Sequence, residues 1–159
     1  MPVEIAFRDL YIPLGGGAEG EPDRAPLSTL DDDERSHVHG TLWIRVYGRD
    51  LPALGCFGVD DVCMGTWAHE LAAAARRLVA ADPGSYAFDE GEQGQPSFVF
   101  ERRGESLTIR VEASIYATDI SPPPWEPQAC SFAEFQTEVA LFLERLDRTV
   151  SAASPAGEG

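Results

Sequence analysis

The chain has 159 residues, of which 27 are Asp or Glu and 12 are Lys or Arg, so its formal net charge is −15 at pH 7. This excess of carboxylates disfavours binding to a nucleic-acid backbone or to an anionic membrane surface, because both are negatively charged themselves. With 43% hydrophobic and 25% charged residues, the composition is that of a globular protein of one domain. Neither Lys nor Asn occurs, which indicates a GC-rich bacterial gene.

The sequence predicts a cytoplasmic protein with reduced thiols. Its first residues lack the basic and apolar regions of a signal peptide. Nowhere do the roughly 18 consecutive apolar residues of a membrane span occur. The three cysteines, Cys56, Cys63 and Cys130, are an odd number in a chain large enough to fold without disulfides.

In the first part of the chain, alternation of apolar and polar residues predicts two strands, over residues 3–12 and 41–47. Between them, residues 14–35 are so rich in Gly, Pro and charge that we predict a long mobile loop. A helix should follow, with Thr66 as its N-cap, apolar residues at helical spacing up to Leu78, and a stop at residues 82–84.

The second part should begin with a short strand at residues 86–88 and a hairpin formed by strands near 98–101 and 107–113. The prolines within residues 116–129 exclude a helix and predict a loop. Ser131 and Glu134 form a capping box that opens an amphipathic helix reaching Val150.

This order, β-β-α-β-β-β-α, predicts the α+β class, with a single antiparallel sheet of about five strands and both helices on one face. Residues 1–150 should form the domain and residues 151–159 a disordered tail.

Among side chains that carry chemistry, His37 and His39 lie two residues apart, and His69 and the three cysteines lie elsewhere. Zinc is disfavoured, because structural zinc sites usually draw cysteines from close pairs, whereas Cys56 and Cys63 are seven positions apart. A Cys nucleophile with a His partner would need the fold to bring the two together, and nothing local in the sequence activates any thiol. We therefore predict no catalytic residue, metal or cofactor.

Two features are candidates for contact with a partner protein. The run Asp31, Asp32, Asp33 and Glu34 continues an acidic segment and could present negative charge to a basic partner, although most such runs are only solvated. Trp125 follows three prolines, so it could act as a rigid interface anchor or pack back over the sheet as a lid.

The strand at residues 40–49, the helix at 67–78, the hairpin at 98–111 and the helix at 132–150 together resemble small acidic bacterial proteins that include immunity proteins of polymorphic toxin systems. The resemblance implies a non-catalytic binding module that occludes a basic protein partner, and it supplies no site residues. Two alternatives stay open. One is a small metal- or thiol-dependent enzyme using His37, His39 or a Cys, and the other is a domain whose acid excess serves only solubility.

Overall fold

The computed structural model describes residues 3–14, 23–29, 37–55, 58–90 and 94–153. These residues form an α+β fold with antiparallel sheets and two helices, which confirms the predicted class. The strands divide between two sheets instead of forming one. Two of the five predicted strands lie in one sheet and three in the other, and the structure adds four strands of two to four residues, too short for an alternating pattern to reveal.

The first sheet contains five strands, which are β1 (Val3–Leu14), β2 (Asp23–Pro26), β3 (His39–Val46), β4 (Arg49–Asp50) and β5 (Val62–Cys63). Its order is β2-β1-β3-β4, and β5 also pairs with β3. Strands β4 and β5 therefore pair with opposite ends of β3, β4 with its last residues and β5 with its first.

The second sheet has the order β6-β7-β8-β9, formed by β6 (Gly84–Phe88), β7 (Ser97–Arg103), β8 (Ser106–Glu112) and β9 (Gln128–Ser131). The predicted hairpin is confirmed as β7 and β8, and Gly104 takes a positive φ of 61° in its turn. The proline-rich segment is a loop as expected, but it ends at Gln128, where β9 begins.

Part of the predicted loop at 14–35 is ordered structure. Leu14 is the last residue of β1, Asp23–Pro26 pair with β1 as β2, and Leu27–Thr29 form a turn of 3₁₀ helix. A strand containing Pro26 is tolerated here because β2 is an edge strand, where a missing N–H costs no ladder bond. The remaining residues of that loop lie outside the described residues.

Both predicted helices are present, as α1 (Met64–Val79) and α2 (Phe132–Ala153). Helix α1 begins two residues before Thr66, so Cys63 is its N-cap rather than Thr66. The cap of α2 is as predicted, since the Glu134 amide donates to Ser131 Oγ over 3.3 Å. Helix α2 continues through three residues of the predicted tail, and residues 154–159 lie outside the described ones.

One hydrophobic core joins the two sheets and the two helices. Each helix packs against both sheets, α1 on β3, β6 and β7 and α2 on β1, β8 and β9, so the helices do not share one face of a single sheet. The largest fully buried side chains include Trp67, Phe98, Phe100, Phe135 and Phe142. Within the described residues, neither helix has the length and apolar character needed to cross a membrane.

Candidate active site

The pairing of the first sheet places Tyr11, His39 and Cys63 side by side. Tyr11 of β1 pairs with His39 of β3, and His39 pairs in turn with Cys63 of β5. Val62 is fully buried in the core, so the alternation of a strand turns the next side chain, Cys63, to the opposite face of the sheet. Three neighbouring strands thus present a phenol, an imidazole and a thiol in one row.

A β-bulge in β1 is needed to bring Tyr11 into this row. The register shifts between Arg8 and Tyr11, so His39 pairs with Tyr11, where regular pairing would have put Leu10. Asp9, inside the bulge, has a positive φ of 54°. Gly40 lies against it, and a Cβ atom there would lie 2.9 Å from the carbonyl oxygen of Arg8. The close approach of the two backbones therefore favours Gly at this position.

His39 and Cys63 form the closer of the two kinds of antiparallel pair. The Met64 amide donates to the Val38 carbonyl over 2.8 Å, and this bond connects the residues just outside the pair. His39 and Cys63 are therefore a non-hydrogen-bonded pair, whose backbones make no hydrogen bond to each other. The side chains of such a pair lie closer together than those of a hydrogen-bonded pair. The imidazole of His39 hydrogen-bonds the Cys63 thiol.

Asp61 completes the arrangement from the segment that leads into β5. Its Oδ1 lies 2.6 Å from Nδ1 of His39 and accepts a hydrogen bond from the Tyr11 hydroxyl over 2.5 Å. The side chains of His39 and Asp61 are 23% and 13% exposed, so solvent screens their contact only in part. The neighbouring Asp60 accepts a hydrogen bond from the Thr41 hydroxyl over 3.0 Å, which secures the same segment to β3.

Cys63 is held at the N-terminus of α1, where a helix dipole stabilises negative charge. Burial by itself would raise the pKa of the Cys63 thiol, but hydrogen bonds from His39 and Thr66 outweigh it and lower the pKa to about 7. The Thr66 hydroxyl lies 3.3 Å from Sγ, and its backbone amide adds to the effect without completing a capping hydrogen bond. The first turn of α1 contains no acidic residue that would oppose a thiolate.

The pKa values of the groups around the thiol shift so as to complement a thiolate. The hydrogen bond with Cys63 raises the pKa of His39, burial opposes the shift, and Asp61 adds to it. Burial would raise the pKa of Asp61, but the hydrogen bonds from Tyr11 and His39 lower it. Burial and the bond to Asp61 raise the pKa of Tyr11, which stays a neutral donor. These shifts favour a thiolate beside an imidazolium, with a carboxylate behind the imidazolium.

The pKa of the Cys130 thiol shifts in the opposite direction from that of Cys63. It lies in β9 within the core, where burial and the nearby carboxylate of Glu134 raise the pKa of its thiol to about 11. Such a thiol is protonated at neutral pH and is inert as a nucleophile. The described part of the chain thus holds one activated thiol and one core thiol, and Cys56 lies outside it.

Of the side chains that the sequence singled out, His39 and Cys63 meet at this site and the others that the structure describes do not. His37 and His69 are exposed, and Asp31, Asp32, Asp33 and Glu34 lie outside the described residues. Trp125 packs against the core and its Nε1 donates to the Ile109 carbonyl over 3.1 Å, the lid arrangement that the sequence left open. No cluster of three or more His, Cys, Asp or Glu side chains suited to a metal ion occurs among the residues that the structure describes.

Sequence reasoning missed Cys63, Asp61 and Tyr11 as members of one site, and it found no local activation of a thiol. The only signal was Cys63 just before the start of α1, which a helix predicted to begin at Thr66 obscured. Comparison with known proteins adds no functional precedent, since no family model, curated protein or solved structure matches the chain.

Proposed function

We propose that the protein is a thiol-dependent acyl hydrolase in which Cys63 is the nucleophile, His39 transfers protons and Asp61 orients the imidazole. The observation that carries the proposal is that one imidazole ring contacts both the Cys63 thiol and the Asp61 carboxylate. This order of nucleophile, base and orienting acid recurs on unrelated folds, so it is recognised by geometry and not by sequence order.

In the proposed reaction, the Cys63 thiolate attacks the carbonyl carbon of an ester or amide and forms a thioester. The leaving alcohol or amine departs with the proton held by His39. Water then attacks the thioester while His39 accepts a proton from it, and the carboxylic acid leaves as Cys63 is restored. Asp61 is hydrogen-bonded to Nδ1 of His39, so Nε2 is the nitrogen that accepts and returns the proton in this reaction.

Asp61 keeps its orienting role because two donors hold it. The Tyr11 hydroxyl and the imidazole share its Oδ1 atom, and Tyr11 is in turn in contact with the Arg24 guanidinium, 4.2 Å above its ring.

A nucleophile of this kind must be reduced to act, and reducing conditions are those of the cytoplasm. We therefore propose a cytoplasmic location for the protein.

The first prediction concerns hydrolysis of 4-nitrophenyl butyrate, an activated ester. The protein should hydrolyse it with transient acylation of Cys63, seen as a mass increase of that peptide. Cys63→Ala should abolish both signals, and His39→Ala should lower kcat/KM by ~10²-fold, the usual share of general acid–base catalysis. Asp61→Asn should have a smaller effect, because the ring remains in place.

His37→Ala is the matched control, since His37 is exposed two residues from His39. It should leave both the rate and the acylation unchanged. Hydrolysis that survives Cys63→Ala, or equal losses from His37→Ala and His39→Ala, would contradict the proposed role of this site.

A second candidate is the acidic binding module that the resemblance implies, and two observations favour it. The net charge is −15, and three large apolar side chains of one loop, those of Ile115, Tyr116 and Ile120, are 73%, 70% and 45% exposed. Exposed apolar side chains close together mark interaction sites more often than isolated ones do. Such a module would bind a basic protein by shape and charge.

The second prediction tests that candidate by pull-down from a native lysate followed by kinetics with the captured protein. The partner should be basic, and its association should slow by about tenfold between low and high salt, since screening removes steering. Replacing Asp31, Asp32, Asp33 and Glu34 by neutral residues should slow association and leave the fold intact. A neutral or acidic partner, or a rate insensitive to salt, would contradict this candidate.

A further inference from the structure

Among the residues that the structure describes, no strand lies beside the edge of β3 between β4 and β5. Strand β4 pairs with Arg45 and Val46, and β5 pairs with His39 and Gly40. The described residues between β4 and β5, 51–55 and 58–61, border this gap, and the Leu51 amide donates to the Ile44 carbonyl over 2.8 Å. Alternation along the ladder turns the backbone N–H and C=O of Leu42 towards the same side.

A cavity of about 250 Å³ lies in this gap. Its lining is mainly apolar, and includes Leu42 and Trp43 from β3 and Pro52, Leu54 and Val59 from the loop. Asp50 is the ionisable side chain of this lining. A cavity of this size accommodates a group as large as an amino-acid side chain. Asp50 is paired with the Arg45 guanidinium over 2.5 Å, so its charge is balanced and the cavity suits an uncharged group.

The walls of the cavity are held in place from the rest of the fold. The indole Nε1 of Trp67 donates to the Leu54 carbonyl over 2.8 Å, and Gln95 donates to the same oxygen over 3.5 Å. Trp67 lies in the first turn of α1, the helix that Cys63 caps. The cavity and the thiol are therefore supported by the same helix.

The cavity also adjoins the proposed catalytic residues through the loop. Gly55 lies so close to the segment carrying Asp61 that a Cβ atom on it would be 2.7 Å from the Asp61 carbonyl oxygen. On β3, Trp43 follows His39 by four residues and lies on the same face of the sheet, and at ~3.3 Å per residue the two are separated by about 13 Å. A substrate with its carbonyl at Cys63 could therefore reach the cavity with a short extension.

We propose that this cavity binds an uncharged apolar group of the substrate that Cys63 attacks, a group about 13 Å from the thiol. The inference rests on the proposed function and adds the substrate class, which is an ester or amide with an apolar extension. The apolar lining supplies affinity through burial, and the excess of acid on the protein excludes anionic extensions.

The third prediction compares two neutral alkylating reagents, iodoacetamide and N-(4-phenylbutyl)iodoacetamide, on the intact protein. Mass spectrometry of the Cys63 peptide gives each rate, and glutathione gives the intrinsic ratio of the two reagents. The apolar tail should accelerate modification of Cys63 by about tenfold relative to glutathione, because the tail occupies the cavity.

Val59→Asp places a charge in the cavity lining at a residue that is 54% exposed, so the core is not disturbed. It should return the ratio of the two rates to that of glutathione. Val79→Asp is the matched control, since Val79 is 58% exposed at the far end of α1 and should leave the ratio high.

The outcomes separate this inference from the proposed function. A low-pKa Cys63 that reacts with both reagents in the glutathione ratio would overturn the cavity assignment and leave the proposed function standing. If Cys63 reacts as slowly as an ordinary thiol but still reacts faster with the tailed reagent than glutathione does, the cavity assignment is supported and the proposed function is overturned. A high ratio that Val59→Asp leaves unchanged would also overturn the cavity assignment.

Discussion

At the residue scale, Cys63 and His39 stabilise each other's charged form. The pKa of Cys63 is lowered to about 7, so the thiolate stabilises the fold at pH values above the ordinary thiol value and this contribution is lost as pH falls through 7. The pKa of His39 is raised, so its contribution is present below the ordinary imidazole value and is lost as pH rises through the raised one. The charged pair is thus a feature of near-neutral pH.

The chemistry of the individual residues was visible in the sequence, but their convergence was not. Three His and three Cys permit a thiol–imidazole pair on composition alone, and only the register of β3 and β5 selects His39 over His37. A shift of one residue would turn Cys63 into the core and Val62 outward. The bulge at Asp9, which brings Tyr11 to Asp61, leaves no pattern that periodicity detects.

At the scale of elements, long periodic segments were predictable and short ones were not. Helix α2 has an apolar stripe and a capping box, and the hairpin of β7 and β8 has two alternating runs, so both were located correctly. Strand β5 has two residues, fewer than one period of alternation, and only pairing with β3 defines it. The site depends on β5, which is why the fold class was predicted and the site was not.

Helix α2 also protects an open edge of the first sheet. The Arg145 guanidinium donates to the Ile5 carbonyl over 2.6 Å, and the buried Glu138 carboxylate accepts from the Ile5 amide over 3.4 Å. These two side chains occupy backbone groups that another strand could otherwise pair with, and unprotected edges promote aggregation.

The fourth prediction is that Arg145→Met lowers the free energy of unfolding by about 1 kcal/mol, because it leaves the Ile5 carbonyl without its charged donor. Arg148→Met is the control on the same helix, since Arg148 pairs with Glu144 on the exposed surface and should cost less than about 0.5 kcal/mol. Urea denaturation measures both changes. Equal losses in the two variants would show that the contact at Ile5 has no special role.

At the scale of the whole molecule, most of the acid excess and the Cys63 thiol belong to different parts of the chain. Residues 41–83, which contain Asp61 and Cys63, carry five acids and four Arg, whereas residues 1–40 carry nine acids and three Arg. The composition therefore argues against polyanionic partners on physical grounds, and it does not indicate chemistry. For the proposed hydrolase, an acid excess in the chain outside a nearly neutral segment would favour neutral or cationic substrates.

The most direct test of the account is the pH dependence of the alkylation of Cys63 by iodoacetamide, followed peptide by peptide from pH 5 to 10. The thiolate is the reacting form, so the rate should reach half its maximum at a pH of about 7, while Cys130, with a pKa of about 11, stays unmodified. His39→Ala should move the midpoint towards the ordinary thiol value of about 8.5, and His37→Ala should not. A midpoint near 8.5 in the unaltered protein, or one that His39→Ala leaves in place, would contradict the account.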